Sequence, residues 1–206
     1  MKGENVKKQI ITAIKVIISV IICAAGVEFI VMSDFGLDPL TGLESALSKK
    51  IGITLGQASL LFEGTTFLIF LFVNKKLLGF GSFAFCFGMG PCIDAWTSVL
   101  RMLNVGEKSV AIQILYLLIG SLLIILSIAY YVPLNFGLQS LDMYSVSTAS
   151  ILHKSYGTGL TIVYICMICA SMILGVYPGL ATIAAIFLYG WLIDRTRELF
   201  HWKMKE

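Results

Sequence analysis

Charge is scarce in this chain. Asp, Glu, Lys and Arg make up 13% of its 206 residues, where soluble domains carry roughly 25%. So few charges cannot cover a water-facing surface, which excludes a free-standing soluble domain. Histidine is nearly missing: only His153 and His201 occur, both at expected membrane edges with no metal partner nearby. No four-ligand zinc spacing is present. No Gly-rich phosphate loop, nucleophile–base motif or metalloprotease helix is visible. An enzyme is therefore not expected, and neither is a metal or a cofactor. Lys and Arg do not cluster among aromatics as a nucleic-acid surface requires. They sit at the ends of apolar runs. There is no Pro/Ser-rich linker and no low-complexity tract, so residues 1–206 read as a single domain.

What is present is apolar. Hydrophobic residues make up 58% of the chain, and the mean hydropathy is +0.91. A helix needs about 20 apolar residues to cross the hydrocarbon. Six such segments fit, at 9–33, 55–73, 78–97, 110–131, 157–176 and 179–195. The first follows Lys7 and Lys8 as a signal peptide would, but the run from Gln9 to Met32 is too long for one. An uncleaved first span is expected. All five cysteines lie inside apolar segments. Cys166 and Cys169 share a helix face but read as small packing residues in that setting. Trp96, Trp191 and Trp202 fall near span ends, as an interfacial belt requires.

The chain nearly repeats itself. Phe35-Gly36-Leu37 recurs 101 residues later as Phe136-Gly137-Leu138. Gly56 recurs as Gly157 and Gly79 as Gly179. The spacing Gly90-Xaa-Xaa-Ile93-Asp94 recurs 100 residues later as Gly190-Xaa-Xaa-Ile193-Asp194. The copies cover about 9–101 and 108–200, with three spans in each. An odd number of spans forces the second copy to enter the bilayer upside down. Inverted repeats are a transporter architecture, with the site where the repeats meet. The expected fold is an all-α polytopic bundle of six transmembrane helices in two inverted three-helix repeats.

With the N-terminus inside, ten basic residues face inward (Lys2, Lys7, Lys8, Lys75, Lys76, Lys154, Arg195, Arg197, Lys203 and Lys205). Four face outward (Lys49, Lys50, Arg101 and Lys108). Positive charge favours the cytoplasmic side, so both termini are expected there. Asp38-Pro39 is a good helix start, and Gly52 can end the short helix it opens. The matching stretch is 139–153. Each is expected to be either interfacial or re-entrant. Glu44, Lys49 and Lys50 suit a headgroup setting and favour the first. Gly36 and Gly137 allow a sharp turn before each.

Glu63 is the sharpest candidate site residue. It lies about 8 residues into the second span, roughly 12 Å deep at helical rise. Gly56, Ser59, Glu63 and Thr66 share its face, and an intramembrane polar stripe faces the bundle interior or a water path. Two readings stay open: a proton or cation site, or a carboxyl that hydrogen-bonds a neighbouring helix. Its repeat partner is Tyr164. Glu28, near the outer end of span one, either joins Glu63 in an acidic cavity or meets headgroups. Asp94 and Asp194 end repeat-equivalent spans, and either a local ion pair, with Arg195 beside Asp194, or a helix-end role is expected. Gly88-Met89-Gly90-Pro91 should kink or break span three, because proline removes a backbone donor. Two readings stay open: freed carbonyls at such a break can coordinate a cation or substrate, or the kink serves packing alone.

Three stretches resemble the YczE/YyaS/YitT group of bacterial membrane proteins, the YczE branch in particular. They are Gly36-Leu37-Asp38-Pro39, then Gly52 to Gly56-Gln57-Ala58-Ser59, then Gly79 to Asp94. The likeness is clearest over residues 20–100. This chain has Leu40 where the branch commonly has tryptophan. The resemblance implies a multi-pass protein of the bacterial cytoplasmic membrane and carries over no catalytic or ligand residue.

The function expected is a plasma-membrane transporter of a small solute, a secondary carrier using an intramembrane carboxylate. Two alternatives stay open. One is a substrate-binding membrane subunit of a larger importer, like those of energy-coupling-factor systems. The other is a non-transport accessory factor. The expected partners are the lipid bilayer, an unknown solute, and either a second copy or a coupling subunit. An acidic cavity favours cations, whereas short-helix N-termini near Asp38 and Gln139 favour anions.

Overall fold

A computed structural model describes residues 2–102 and 109–200, the side chains of 2–5 excepted. Expectations placed on the side chain of Lys2, and on Lys108, His201, Trp202, Lys203 and Lys205, lie outside the described residues. Eight α-helices follow in chain order: α1 (Lys2–Ser33), α2 (Pro39–Ile51), α3 (Leu55–Val73), α4 (Phe80–Met102), α5 (Val110–Tyr131), α6 (Ser140–Leu152), α7 (Tyr156–Ile173) and α8 (Leu180–Leu199). Among the described residues there is no strand. The protein is all-α.

Among the described residues, five helices are long and apolar enough to cross a membrane: Val6–Ser33, Leu55–Val73, Phe80–Met102, Val110–Leu134 and Tyr156–Ile173. Their outward faces carry large exposed apolar side chains, among them Ile14, Ile18, Leu68, Phe72, Phe87 and Leu118. Lipid, not water, accepts such a surface. This is a multi-pass membrane protein. The sixth expected span, α8, falls short of that standard. Asp194, Arg195, Arg197 and Glu198 fill its last turns.

The helix ends follow from local chemistry. Asp38 caps α2, its side chain accepting from Thr41 N–H at 3.2 Å, and Pro39 occupies the first turn. Gly52 ends α2 in the left-handed conformation. Thr54 and Gln57 cap α3 reciprocally, each side chain accepting from the other's backbone N–H at 3.0 Å. The turns into α2 and α6 run through Gly36 and Gly137, whose φ values are 107° and 106°. A side chain there is strained.

Proline does not break α4. The helix runs unbroken from Phe80 to Met102 with Pro91 inside it. Gly90 instead lets two helices touch: the Gly90 backbone packs on the Gly56 backbone of α3. Close backbone approach at small residues is how membrane helices associate. Helices α1 and α5 cross in the same way. A Cβ on Gly26 would lie 2.9 Å from the Gly120 oxygen, and one on Gly120 would lie 2.7 Å from the Gly26 oxygen. Ser127 Oγ donates to the Ser19 carbonyl at 2.8 Å. Cys23 and Cys86 are buried in this packing, but Cys166 and Cys169 are exposed on α7, so the latter pair does not serve as packing residues.

Contacts pair off across the sequence offset with the partners exchanged. Ala181 N–H donates to Phe35 O at 3.0 Å, and Gly81 N–H donates to Phe136 O at 2.6 Å. Gly36 packs on Gly179, and Gly137 packs on Gly79. Gly56 N–H donates to Asp94 Oδ1 at 3.2 Å, and Gly157 N–H donates to Asp194 Oδ2 at 3.2 Å.

Candidate functional site

The short helices α2 and α6 carry the site. Each is opened by a polar N-terminus that the fold buries rather than exposes. Asp38, Thr41 and Glu44 of the first are buried, as are Gln139, Ser140, Asp142 and Ser145 of the second. Their C-terminal ends, at Lys49, Lys50 and Leu152, are exposed. Glu44 is 3% exposed, so its side chain faces protein and not headgroups. Packing against α3 and α7 decides this.

A small cavity of about 20 Å³ opens between the two N-termini. Holding one water takes about 10–15 Å³. Ten of its lining residues form repeat-equivalent pairs, 101 apart: Cys23 with Ile124, Val27 with Ile128, Asp38 with Gln139, Leu40 with Leu141, and Glu63 with Tyr164. The shape is paired but the chemistry is not. One half supplies Asp38, Glu44 and Glu63, and the other supplies Gln139, Leu141 and Tyr164.

Glu63 is engaged. Its Oε2 accepts from Ser140 N–H at 3.1 Å and from Ser140 Oγ at 2.8 Å. It therefore caps α6 from α3, where a helix N-terminus favours negative charge. Ser140 is the first residue of that helix. Of the two readings left open by the sequence, the carboxyl bonded to a neighbouring helix describes this contact.

Asp38 and Glu44 are less complete. Asp38 Oδ2 binds the Thr41 amide, yet Asp38 Oδ1 has no hydrogen-bond partner, and neither has Glu44 Oε1. Burial raises the Glu44 carboxyl well above the usual carboxylate range, with the Glu63 charge adding to the effect and a Ser59 hydrogen bond opposing it. Burial likewise raises Asp38, against the hydrogen bonds at Thr41.

A further buried carboxyl group, Asp142, follows the lining residue Leu141. Asp142 Oδ1 accepts from the Tyr156 hydroxyl, and Asp142 Oδ2 is unpartnered. Arg197 stands 5.8 Å from the centre of the Tyr156 ring and 3.9 Å from Asp194. The pairing of Asp194 with Arg195 does not occur: Arg195 pairs with Glu198 at 2.8 Å. Arg197, one turn along the helix, is the residue that reaches Asp194.

Of the residues singled out in the sequence, Glu63, Ser59 and Tyr164 converge on the cavity. Glu28 does not line it. Thr97 Oγ1 donates to Glu28 Oε2 at 2.9 Å, joining α1 to α4. Thr66 Oγ1 stands 3.5 Å from the Tyr144 hydroxyl. Gly88 lies on an outer groove beside Phe83 and Phe87. Gly90 is spent on Gly56, and Pro91 is exposed. Asp38 and Pro39, read as a helix start, do start one, and Asp38 also lines the cavity. Glu44 lines the cavity without having been singled out in the sequence as a site residue, and Asp142, buried next to the lining residue Leu141, lies outside the lining. Among the described residues, no group of three or more His, Cys, Asp or Glu is arranged to hold a metal ion.

A family model described as "Family of unknown function (DUF6198)" matches residues 10–198. The chain is similar to the "Uncharacterized protein YyaS" of Bacillus subtilis (strain 168), with 26% identity over 179 residues, covering 85% of this chain and 87% of the relative. That relative belongs to the group indicated by the sequence resemblance. No solved structure gives a significant match.

Proposed function

The chain belongs to the DUF6198 family, and for this member we propose a secondary carrier that moves a small solute across the bacterial cytoplasmic membrane. The observation that carries the reading is the cavity lined by five pairs of repeat-equivalent residues. A two-fold axis brings equivalent residues to one point, and the exchanged contacts at Phe35 and Phe136 support such an axis. In this reading α8 is the sixth span, with its charged last turns reaching the cytoplasmic headgroups. The two copies of three spans then run in opposite directions. Both termini lie in the cytoplasm, and α2 and α6 enter from opposite faces as re-entrant helices meeting near the midplane. Backbone of that kind is tolerated only where protein buries it or a cavity is lined, and the buried N-termini of α2 and α6 suit that condition.

Alternating access follows if one copy rocks against the other about the cavity. The Gly36–Gly179 and Gly137–Gly79 contacts would be the pivots, since backbone meets backbone there. The test is solute counterflow into proteoliposomes, guided by a thermal-shift screen, because a ligand of the folded state raises its stability. A carrier gives saturable exchange that Tyr164→Phe or Ser59→Ala alters. Purified protein that binds no solute and exchanges none refutes the proposal.

A further inference from the structure

We propose that the cavity between the N-termini of α2 and α6 binds one small monovalent cation, with Asp38 Oδ1 and Glu44 Oε1 as its carboxylate contacts. This deepens the carrier reading and rests on it for any consequence in transport. Binding itself can be tested without flux.

The short-helix N-termini suggest an anion site, but both are already occupied by the protein's own carboxylates. Asp38 Oδ2 takes the Thr41 amide of α2, and Glu63 takes the Ser140 amide and hydroxyl of α6. An incoming anion would face three acidic side chains, Asp38, Glu44 and Glu63, with only the neutral Gln139 amide and three hydroxyls to offset them. What remains open is acceptor capacity. Asp38 Oδ1 and Glu44 Oε1 are buried atoms without a donor, on residues 6% and 3% exposed. No Lys, Arg or His lines the cavity to neutralise them. A buried carboxylate left without a donor or counter-charge is costly, and a cation at this point supplies the missing charge.

Size and ligand type narrow the cation. About 20 Å³ holds a water or a bare ion, not an organic solute. Apart from the amide nitrogen of Gln139, the polar groups are oxygens, from the carboxylates of Asp38, Glu44 and Glu63, the Gln139 carbonyl and the hydroxyls of Thr41, Ser59 and Tyr164. Oxygen donors suit hard cations. The carboxyl groups do not form the convergent set of three that would hold a divalent ion. Sodium, potassium and ammonium share the required chemistry: one positive charge that oxygen atoms can surround.

The full-length protein in a zwitterionic detergent would be melted at pH 8 in N-methyl-D-glucamine chloride. That salt would be replaced stepwise, at constant ionic strength, by sodium, potassium or ammonium chloride. The melting temperature should rise and saturate with at least one of the three, and the responding salt identifies the cation. Glu44→Gln and Asp38→Asn keep shape and the Thr41 acceptor, and should weaken the apparent affinity about tenfold or more. Glu28→Gln, outside the cavity, should retain it. If neither cavity variant folds, sodium-23 or nitrogen-15 ammonium NMR of the wild type should show a bound, displaceable ion. Equal melting in all four salts with no bound ion overturns the proposal. So does a salt response that survives both cavity variants. Binding without flux in proteoliposomes would sink the carrier reading and leave this site standing. Flux indifferent to the cation, with no binding, would sink the site alone.

Discussion

The backbone amide of Gly56 donates to Asp94 Oδ1 at 3.2 Å, tying the first turn of α3 to α4. The same carboxylate accepts from the Thr54 hydroxyl at 2.9 Å. In the second half Asp194 performs the equivalent service for Gly157. Each aspartate supplies an acceptor to a helix N-terminus that has unsatisfied N–H groups, where the dipole also favours negative charge. The glycine four residues earlier in each motif, Gly90 or Gly190, lets the helices close on each other. The recurring Gly-Xaa-Xaa-Ile-Asp spacing is therefore a clamp between neighbouring helices.

That clamp predicts the response to a single methyl group. A Cβ on Gly56 would sit 2.6 Å from Asp94 Cγ, whereas one on Gly64 of the same helix meets only Cys86 Sγ at 3.8 Å. Gly56→Ala should destabilise the protein by about 1–3 kcal/mol through overpacking. Gly64→Ala should be neutral or add up to about 1 kcal/mol. Unfolding midpoints in detergent would separate them, and equal midpoints would contradict the close approach.

Glu63 should behave as a cap. Glu63→Gln keeps an acceptor for Ser140 and should change stability little. Glu63→Leu leaves the Ser140 amide and hydroxyl unpaired inside the protein, which should cost about 1–3 kcal/mol. If Gln proved as damaging as Leu, the negative charge itself would be what matters.

Acidity should act on Glu44 with two opposite signs. Burial, and Glu63 beside it, strengthen this carboxyl's hold on a proton in the folded state. Asp38 of its own helix adds to the effect and Ser59 opposes it. A folded group that binds protons more tightly than the unfolded chain gains stability as pH falls towards the unfolded pKa, and loses it as pH rises through the folded one. In cation-free buffer the melting temperature should therefore rise on mild acidification. The cation-induced shift should shrink over the same range, because proton and cation compete for one oxygen. Glu44→Gln should weaken both trends in melting curves taken across a pH series, and the remainder should belong to the other buried carboxyl groups, Asp38 among them.

If the second copy enters the bilayer upside down, as proposed, the two short helices should end on opposite sides. Lys50 lies in the last turn of α2, and Lys154 follows His153, the C-cap of α6. In a cysteine-free background, an impermeant maleimide added to intact cells should label Lys50→Cys. Lys154→Cys should react only after permeabilisation. Labelling of both from outside would place the two repeats in the same direction.

Much of the fold was legible because it rests on local physics. Two apolar runs match their helices residue for residue, at Leu55–Val73 and within Val110–Tyr131. The Asp38-Pro39 start and the Gly52 stop of α2 depend on neighbouring residues alone. Of the kink or break that Gly88-Met89-Gly90-Pro91 suggests, the break does not occur. In the bundle the helix continues, and Gly90 is used for contact with Gly56. The α8 segment was read as apolar over 179–195, but its helix extends to Leu199 through four charged residues.

The candidate site was legible only in part. Glu63 stood out as an acid within an apolar run, but its partner Ser140 lies 77 residues away, beyond any periodic signal. Glu44 has the spacing of a surface helix, and only packing against α3 and α7 draws it inside. Composition and period decided on their own that this chain lives in lipid, is helical, and carries two related halves, since each property depends on near neighbours or on summed hydropathy. Which acids are capped and which stay open in the cavity was decided by tertiary packing. That outcome depends on distances between residues that the chain order leaves far apart.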